Sequence, residues 1–179
     1  ITEIRLAFES AGNDPAVRCV VLAAEGKAFC AGADLNWMRR MADYNRQQNI
    51  DDAAELARML RTLFACPKPT IARVQGDVYA GGMGLVAACD VAISPLDANF
   101  CLSAKTHLVE IHAQYDCLSD AISGRQLKRL MLTGEIFPAA DAYRFGLIHD
   151  LTRPEELDGR INEELTKLLE GEPRGHAAT

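Results

Sequence analysis

The residues best placed to do chemistry in this sequence are small ones, and the chemistry they offer is main-chain hydrogen bonding. Between Lys68 and Asp90 a short apolar run, Thr70 to Val74, leads to Gly76 and then, after Tyr79, to Gly81, Gly82 and Gly84. This order reads as a buried strand, a tight turn, and a helix whose first turn has almost no side chains. The opening N–H groups of a helix have no partner inside it, and they lie at the positive end of its dipole. A ligand oxygen can therefore approach bare backbone at Gly81 or Gly82. A second small-residue loop, Ala28-Phe29-Cys30-Ala31-Gly32-Ala33-Asp34-Leu35, follows another apolar run and opens the helix-like stretch Asn36 to Met41. One N–H from each loop can converge on a single oxygen, which is an oxyanion hole. Each donor of such a hole contributes about 3–4 kcal/mol to a transition state with charge on that oxygen. The structural alternative is that the glycines only let a helix pack closely on its strand.

Two nucleotide-binding patterns are absent. Gly76 and Gly81 have the spacing of a phosphate loop, but Gly82 and Met83 stand where its Lys and hydroxyl residue belong. The pattern Gly-x-Gly-x-x-Gly does not occur in this stretch either. Ionisable candidates are sparse. Asp77 reads as a turn-capping residue and Asp34 as a structural residue at its helix start. Glu110, His107 and His112 fall in a stretch, Ser103 to Ile122, where no clear period emerges, and each reads first as a solvated side chain.

The elements that must hold these loops alternate along the chain. Ile4, Leu6, Ala7 and Ala11 fit one face of a helix broken at Asn13-Asp14-Pro15. Val17 to Ala24 is a continuous apolar run, as in a strand buried on both faces. Asn49 to Ala65 is an amphipathic helix. Val91 to Ser94 and Ala98 to Leu102 read as strands, Gln126 to Leu132 as a helix, and Pro138 to Ala142 as the start of another. Leu147-Ile148 reads as a strand and Pro154 to Leu169 as the last helix. Strands alternating with helices give the class α/β.

Composition sets the limits. The chain has 179 residues, enough for one domain, with 49% hydrophobic and 25% charged residues. A net charge of −6 without a basic run argues against nucleic acid as partner. No apolar run is long enough to span a bilayer. Six cysteines occur without a Cys-x-x-Cys pair, which reads as reduced thiols in a cytoplasmic-type compartment rather than disulfides or a metal site. Ile1 already reads as helix, and Gly171 to Thr179 carries no closing element, so both ends read as cut.

Several stretches together carry a family resemblance. Ala28 to Leu35, Lys68-Pro69-Thr70-Ile71-Ala72, and Gly81-Gly82 before an apolar helix ending Cys89-Asp90 resemble the enoyl-CoA hydratase/isomerase (crotonase) family. Leu132-Thr133-Gly134, Ala139-Ala140-Asp141-Ala142 and Phe145-Gly146-Leu147 match its later signature. Leu35-Asn36-Trp37-Met38 and Gly84 to Asp90 look closest to the branch that hydrates methylglutaconyl-CoA or longer isoprenoid glutaconyl-CoAs, as in leucine degradation. The resemblance implies an α/β spiral of ββα turns, with a crotonase-like core over 1–149 and the start of a C-terminal helical trimerisation region over 150–179. It implies a homotrimer or dimer of trimers, an acyl-CoA substrate, and no cofactor beyond the coenzyme A of that substrate. The thioester oxygen would accept from the N–H groups of Ala33 and Gly81, and CoA would lie along Lys27, Ala31, Asp34 and Leu35. The family's two catalytic glutamates fall at Gly84 and Ala104. Glycine at the first suits the branch; alanine at the second does not. From Ala104 to about Ser123 the family's proline-containing apolar pattern is also lost, through divergence or a compensated frame change in the coding sequence. Glu110 is the nearest substitute carboxylate in sequence.

Overall fold

The computed structural model describes residues 1–102 and 108–171, with backbone only at Leu35 and residues 108–113. Its elements are α1 (Thr2–Asn13), β1 (Val20–Ala23), β2 (Ala28–Cys30), α2 (Leu35–Met41), α3 (Arg46–Phe64), β3 (Thr70–Arg73), β4 (Asp77–Tyr79) and α4 (Gly81–Ala87). There follow β5 (Val91–Pro95), β6 (Asn99–Cys101), α5 (Leu108–Ala121), α6 (Gly124–Thr133), β7 (Ile136–Pro138), α7 (Ala139–Phe145), β8 (Asp150–Thr152) and α8 (Leu157–Glu170). Two sheets form, ordered β1-β3-β5-β8 and β2-β4-β6-β7. Each of the first three strand pairs gives one strand to each sheet before the chain turns into helix. The chain therefore climbs one strand per ββα turn, as the resemblance implies.

The first sheet is parallel throughout, pairing Val21 with Ile71, Ala72 with Ala92, and Ile93 with Asp150. The three runs read from the sequence as buried strands are parallel neighbours, although β1 begins only at Val20. Both faces of this sheet are covered, which is why its strands read as unbroken apolar runs. Ala72 and Ala92 face the main core with Leu60, Leu63 and Phe100. Ile71 and Ile93 face the other way, onto Leu157 and Ile161 of α8. In the second sheet β6 and β7 pair antiparallel. No helix among the described residues is long and apolar enough to cross a membrane. All six cysteines are free, and burial, followed by the charge of Asp90, pushes the Cys89 thiol up to about 12.

Several expectations need correction. Leu147-Ile148 is not a strand. Gly146 closes α7 at φ 90, and the N–H groups of Gly146 and Leu147 turn back to the carbonyls of Tyr143 and Ala142. This Schellman closure drops Leu147 and Ile148 into the core, and β8 starts later, at Asp150. On α1 the buried side chain is Phe8, while Leu6 is exposed. The strands β2 and β4, expected as loop or turn, hold three residues each, as does β7, whose last residue, Pro138, is expected from the sequence to start a helix. The stretch from Ser103 to Ile122, in which no clear period emerges from the sequence, contains α5.

One polar cluster locks the central strands. Asp90 Oδ2 accepts from both the N–H and the Oγ1 of Thr70 at 2.7 Å, and the Asp90 N–H donates back to Thr70 Oγ1 at 2.9 Å. This box ties the start of β3 to the residue before β5. Asp90→Ala leaves a buried hydroxyl and an N–H without their acceptor, a loss of about 1–3 kcal/mol. The expected outcome is a fall in melting temperature of roughly 2–4 °C per kcal/mol, read by thermal denaturation, with Asp90→Asn intermediate.

Candidate active site

The two small-residue loops meet because main chain packs on main chain. A Cβ at Gly76 would lie 2.0 Å from the Lys27 carbonyl oxygen, and one at Gly82 would lie 2.5 Å from Cys30 Cβ. Only glycine permits either approach, so β4 and α4 seat directly on β2. The turn into α4 passes through Ala80 at φ 49, a non-glycine residue in the left-handed region. Such a conformation persists only when its surroundings impose it. Here the Ala80 N–H is held by the Cys101 carbonyl at 3.0 Å. In the other loop Gly32 has φ 105, which glycine adopts freely. Asp34 then caps α2, its Oδ1 accepting from the Trp37 N–H at 2.8 Å, as expected for a structural residue at a helix start.

Between these loops opens a cavity of about 450 Å³. Gly32, Ala33, Asp34 and Gly81 form one wall, with the Cys30 thiol beside them. Ile4, Trp37, Leu56, Met59 and Leu85 supply an apolar wall, with Ile1 and Thr2 at its edge. Asp34 is the one ionisable carboxylate among these described lining residues. Nothing lies within 4 Å of a Cβ built on Gly81, so the start of α4 faces open space.

The other expected site residues scatter. Lys27 and Ala31 are exposed and outside the cavity lining. Leu35 opens α2, with its side chain outside the described residues, and Ala104 and His107 lie outside them altogether. Glu110 and His112 are on the backbone of α5, and their side chains likewise lie outside what the structure describes. Gly84 is buried, and its N–H donates to Gln114 Oε1 at 3.0 Å. Asp77 is not a base poised over the cavity. It accepts from the N–H and Nδ2 of Asn99 and from the Tyr79 hydroxyl, a strut between β4 and β6. Burial alone would raise its carboxyl, but the Asn99 and Tyr79 bonds prevail and hold it below the ordinary value of 3.8.

Two contributors escape a reading of the sequence. Leu56 and Met59 have helical spacing, which signals a core face and does not distinguish a cavity wall. Gln114 gives no local sign that it reaches Gly84, thirty residues away.

The enoyl-CoA hydratase/isomerase family model matches residues 1–179. The chain belongs to the enoyl-CoA hydratase/isomerase family. A crystal structure of an enoyl-CoA hydratase from Shewanella pealeana superposes with a TM-score of 0.91 at 37% identity, over 98% of this chain and 66% of that one. A Thermus thermophilus protein provisionally named an enoyl-CoA hydratase is 34% identical over 92% of this chain and 63% of its own length. The trans-2-decenoyl-[acyl-carrier-protein] isomerase of Streptococcus mutans is 28% identical over 98% of this chain and 68% of its own. The chain thus spans about six tenths of the first curated relatives it matches.

Two expectations follow for the site. Gly81→Ala adds a methyl to open space and leaves the melting temperature unchanged, while Gly82→Ala drives Cβ into Cys30 and lowers it by several degrees; paired thermal scans of the two variants read the difference. Asp77, with its depressed folded value, contributes stability above about pH 3.8, lost as pH falls through the lower folded value. In Asp77→Asn, denaturant midpoints are lower at neutral pH and change less on acidification below about pH 4 than in the unaltered chain.

Proposed function

We propose that this family member binds an acyl-CoA thioester in the cavity and adds water across the 2,3 double bond of a 2-enoyl-CoA. The observation that carries the reading is the shared cavity wall of Ala33 and Gly81. In the proposed mechanism their N–H groups donate to the thioester oxygen. Water attacks the β-carbon, the electron pair moves to that oxygen, and the enolate is held by the two donors. The α-carbon then takes a proton, and the carbonyl re-forms. In this reading CoA runs along Lys27, Ala31, Asp34 and Leu35, of which Asp34 lines the cavity. The apolar wall of Trp37, Leu56, Met59 and Leu85 receives the hydrocarbon part of the acyl group. A methylglutaconyl-type acyl group is the finer proposal, drawn from Leu35-Asn36-Trp37-Met38. A homotrimer or dimer of trimers in the cytoplasm belongs to the same proposal.

The second reading is a CoA-thioester binder with weak activity. It is favoured by the non-titrating Gln114 carboxamide packed on Gly84, together with Ala104 at the other glutamate position. A positioned acid or base contributes about 10²–10⁴-fold, so the two readings differ greatly in rate and little in binding. Hydration of methylglutaconyl-CoA and crotonyl-CoA, followed by loss of the conjugated thioester absorbance, separates them. The second reading expects tight thioester binding with slow hydration, accelerated about 10²-fold in Ala104→Glu; the first expects full hydration by the unaltered chain. Full activity in the unaltered chain, abolished in Glu110→Gln, would assign the base to Glu110. Gly81→Pro removes the N–H and weakens enolate-like analogues; unchanged analogue affinity overturns the oxyanion role.

A further inference from the structure

We propose that Gln114 is a positioning residue for the Gly81 donor, acting through the first turn of α4; the inference rests on the oxyanion reading given above. In a regular helix the Gly84 N–H would donate to the carbonyl four residues back, at Ala80. That carbonyl accepts instead from Met83, at 3.1 Å. The Gly84 N–H turns to Gln114 Oε1 at 3.0 Å. Gln114 is only 1% exposed, and a Cβ at Gly84 would meet its Cγ at 2.8 Å and its Oε1 at 2.9 Å. The carboxamide thus fills the space that a side chain at Gly84 would occupy and supplies the acceptor that the strained turn at Ala80 does not.

Two anchors therefore fix the direction in which Gly81 faces the cavity. Ala80, held by Cys101, fixes the entry to the turn. Gln114, on α5, fixes its exit. Without the second anchor, the Gly84 N–H is buried without a partner. Its recovery requires α4 to rewind toward Ala80, which rotates the residues ahead of it, Gly81 included. A small misalignment of an oxyanion donor weakens polarisation of the substrate carbonyl while leaving CoA contacts in place.

The test uses butyryl-CoA labelled with ¹³C at the thioester carbonyl, which carries no double bond to hydrate. In the unaltered chain, difference infrared spectroscopy shows the carbonyl stretch moving to lower frequency on binding. Gln114→Leu and Gln114→Met keep the volume and remove the acceptor, and they lose at least half of that movement at saturating ligand. Gln114→Glu keeps an acceptor oxygen and retains the movement. A full movement in a folded Leu or Met variant overturns the positioning role. No movement in the unaltered chain overturns the oxyanion reading itself, and the inference with it. Where neither apolar variant folds, amide hydrogen exchange of the unaltered chain decides. Gly84 protected to the level of the α5 core supports the role, and rapid exchange at Gly84 overturns it.

Discussion

The constraint on which the site depends is close contact of backbone at Gly76 and Gly82. At both positions a side chain would strike the facing strand, at the Lys27 carbonyl and at Cys30 Cβ respectively. Neither glycine is needed for its torsion angles, since neither has positive φ; they are needed for their lack of volume. Their absence of side chains brings β4 and α4 onto β2, and this contact makes two loops from different turns of the spiral share one wall. The register slip between Ala28 and Cys30 in the β2–β4 pairing lies in the same contact. A bulge of this kind re-aims the residues that follow it, and those residues here are the loop from Ala31 to Asp34.

What could be read from the sequence follows from how each element is stabilised. The parallel sheet was legible because burial on both faces leaves short runs dominated by apolar residues, at 17–24, 70–74 and 91–94. Of the second sheet only β6 was legible, within Ala98 to Leu102; β2 and β4 were not, because they bury one residue each, Phe29 and Val78, too little pattern to separate from loop. The glycine-lined half of the cavity was legible through residue type alone. Its apolar half was not, because a side chain lining a cavity and one filling a core have the same helical spacing. Gln114 was the least legible of all. A buried carboxamide held by a long-range bond to main chain looks, in sequence, like any polar interruption of an apolar helix.

The charged residues take little part in this. Arg160 pairs with Asp150 and Glu164, and Arg73 with Asp158, three ion pairs that lie where α8 packs on the first sheet. Each involves a partly or largely exposed partner, and such pairs contribute about 0–1 kcal/mol. The apolar contact of Leu157 and Ile161 with Ile71 and Ile93 stabilises α8 more, by about 1.5–3 kcal/mol per fully buried side chain.

A site built on main-chain donors separates two functions that side-chain sites merge. An N–H donor is set by the fold, so it survives any substitution that leaves the backbone in place. A carboxylate is set by one side chain, and one codon removes it. If Ala33 and Gly81 are the donors proposed above, recognition of a thioester oxygen is therefore robust in this fold, whereas delivery of a proton is not. The packing at Gly84 sharpens this. A carboxylate introduced there would have to displace a buried carboxamide that satisfies the helix beneath it. Under the proposal above, an acid at that position would thus disturb Gly81. A carboxylate carried by another element does not compete for the space that Gln114 fills at Gly84, so on the proposed reading an acid is regained with least disturbance elsewhere than on α4.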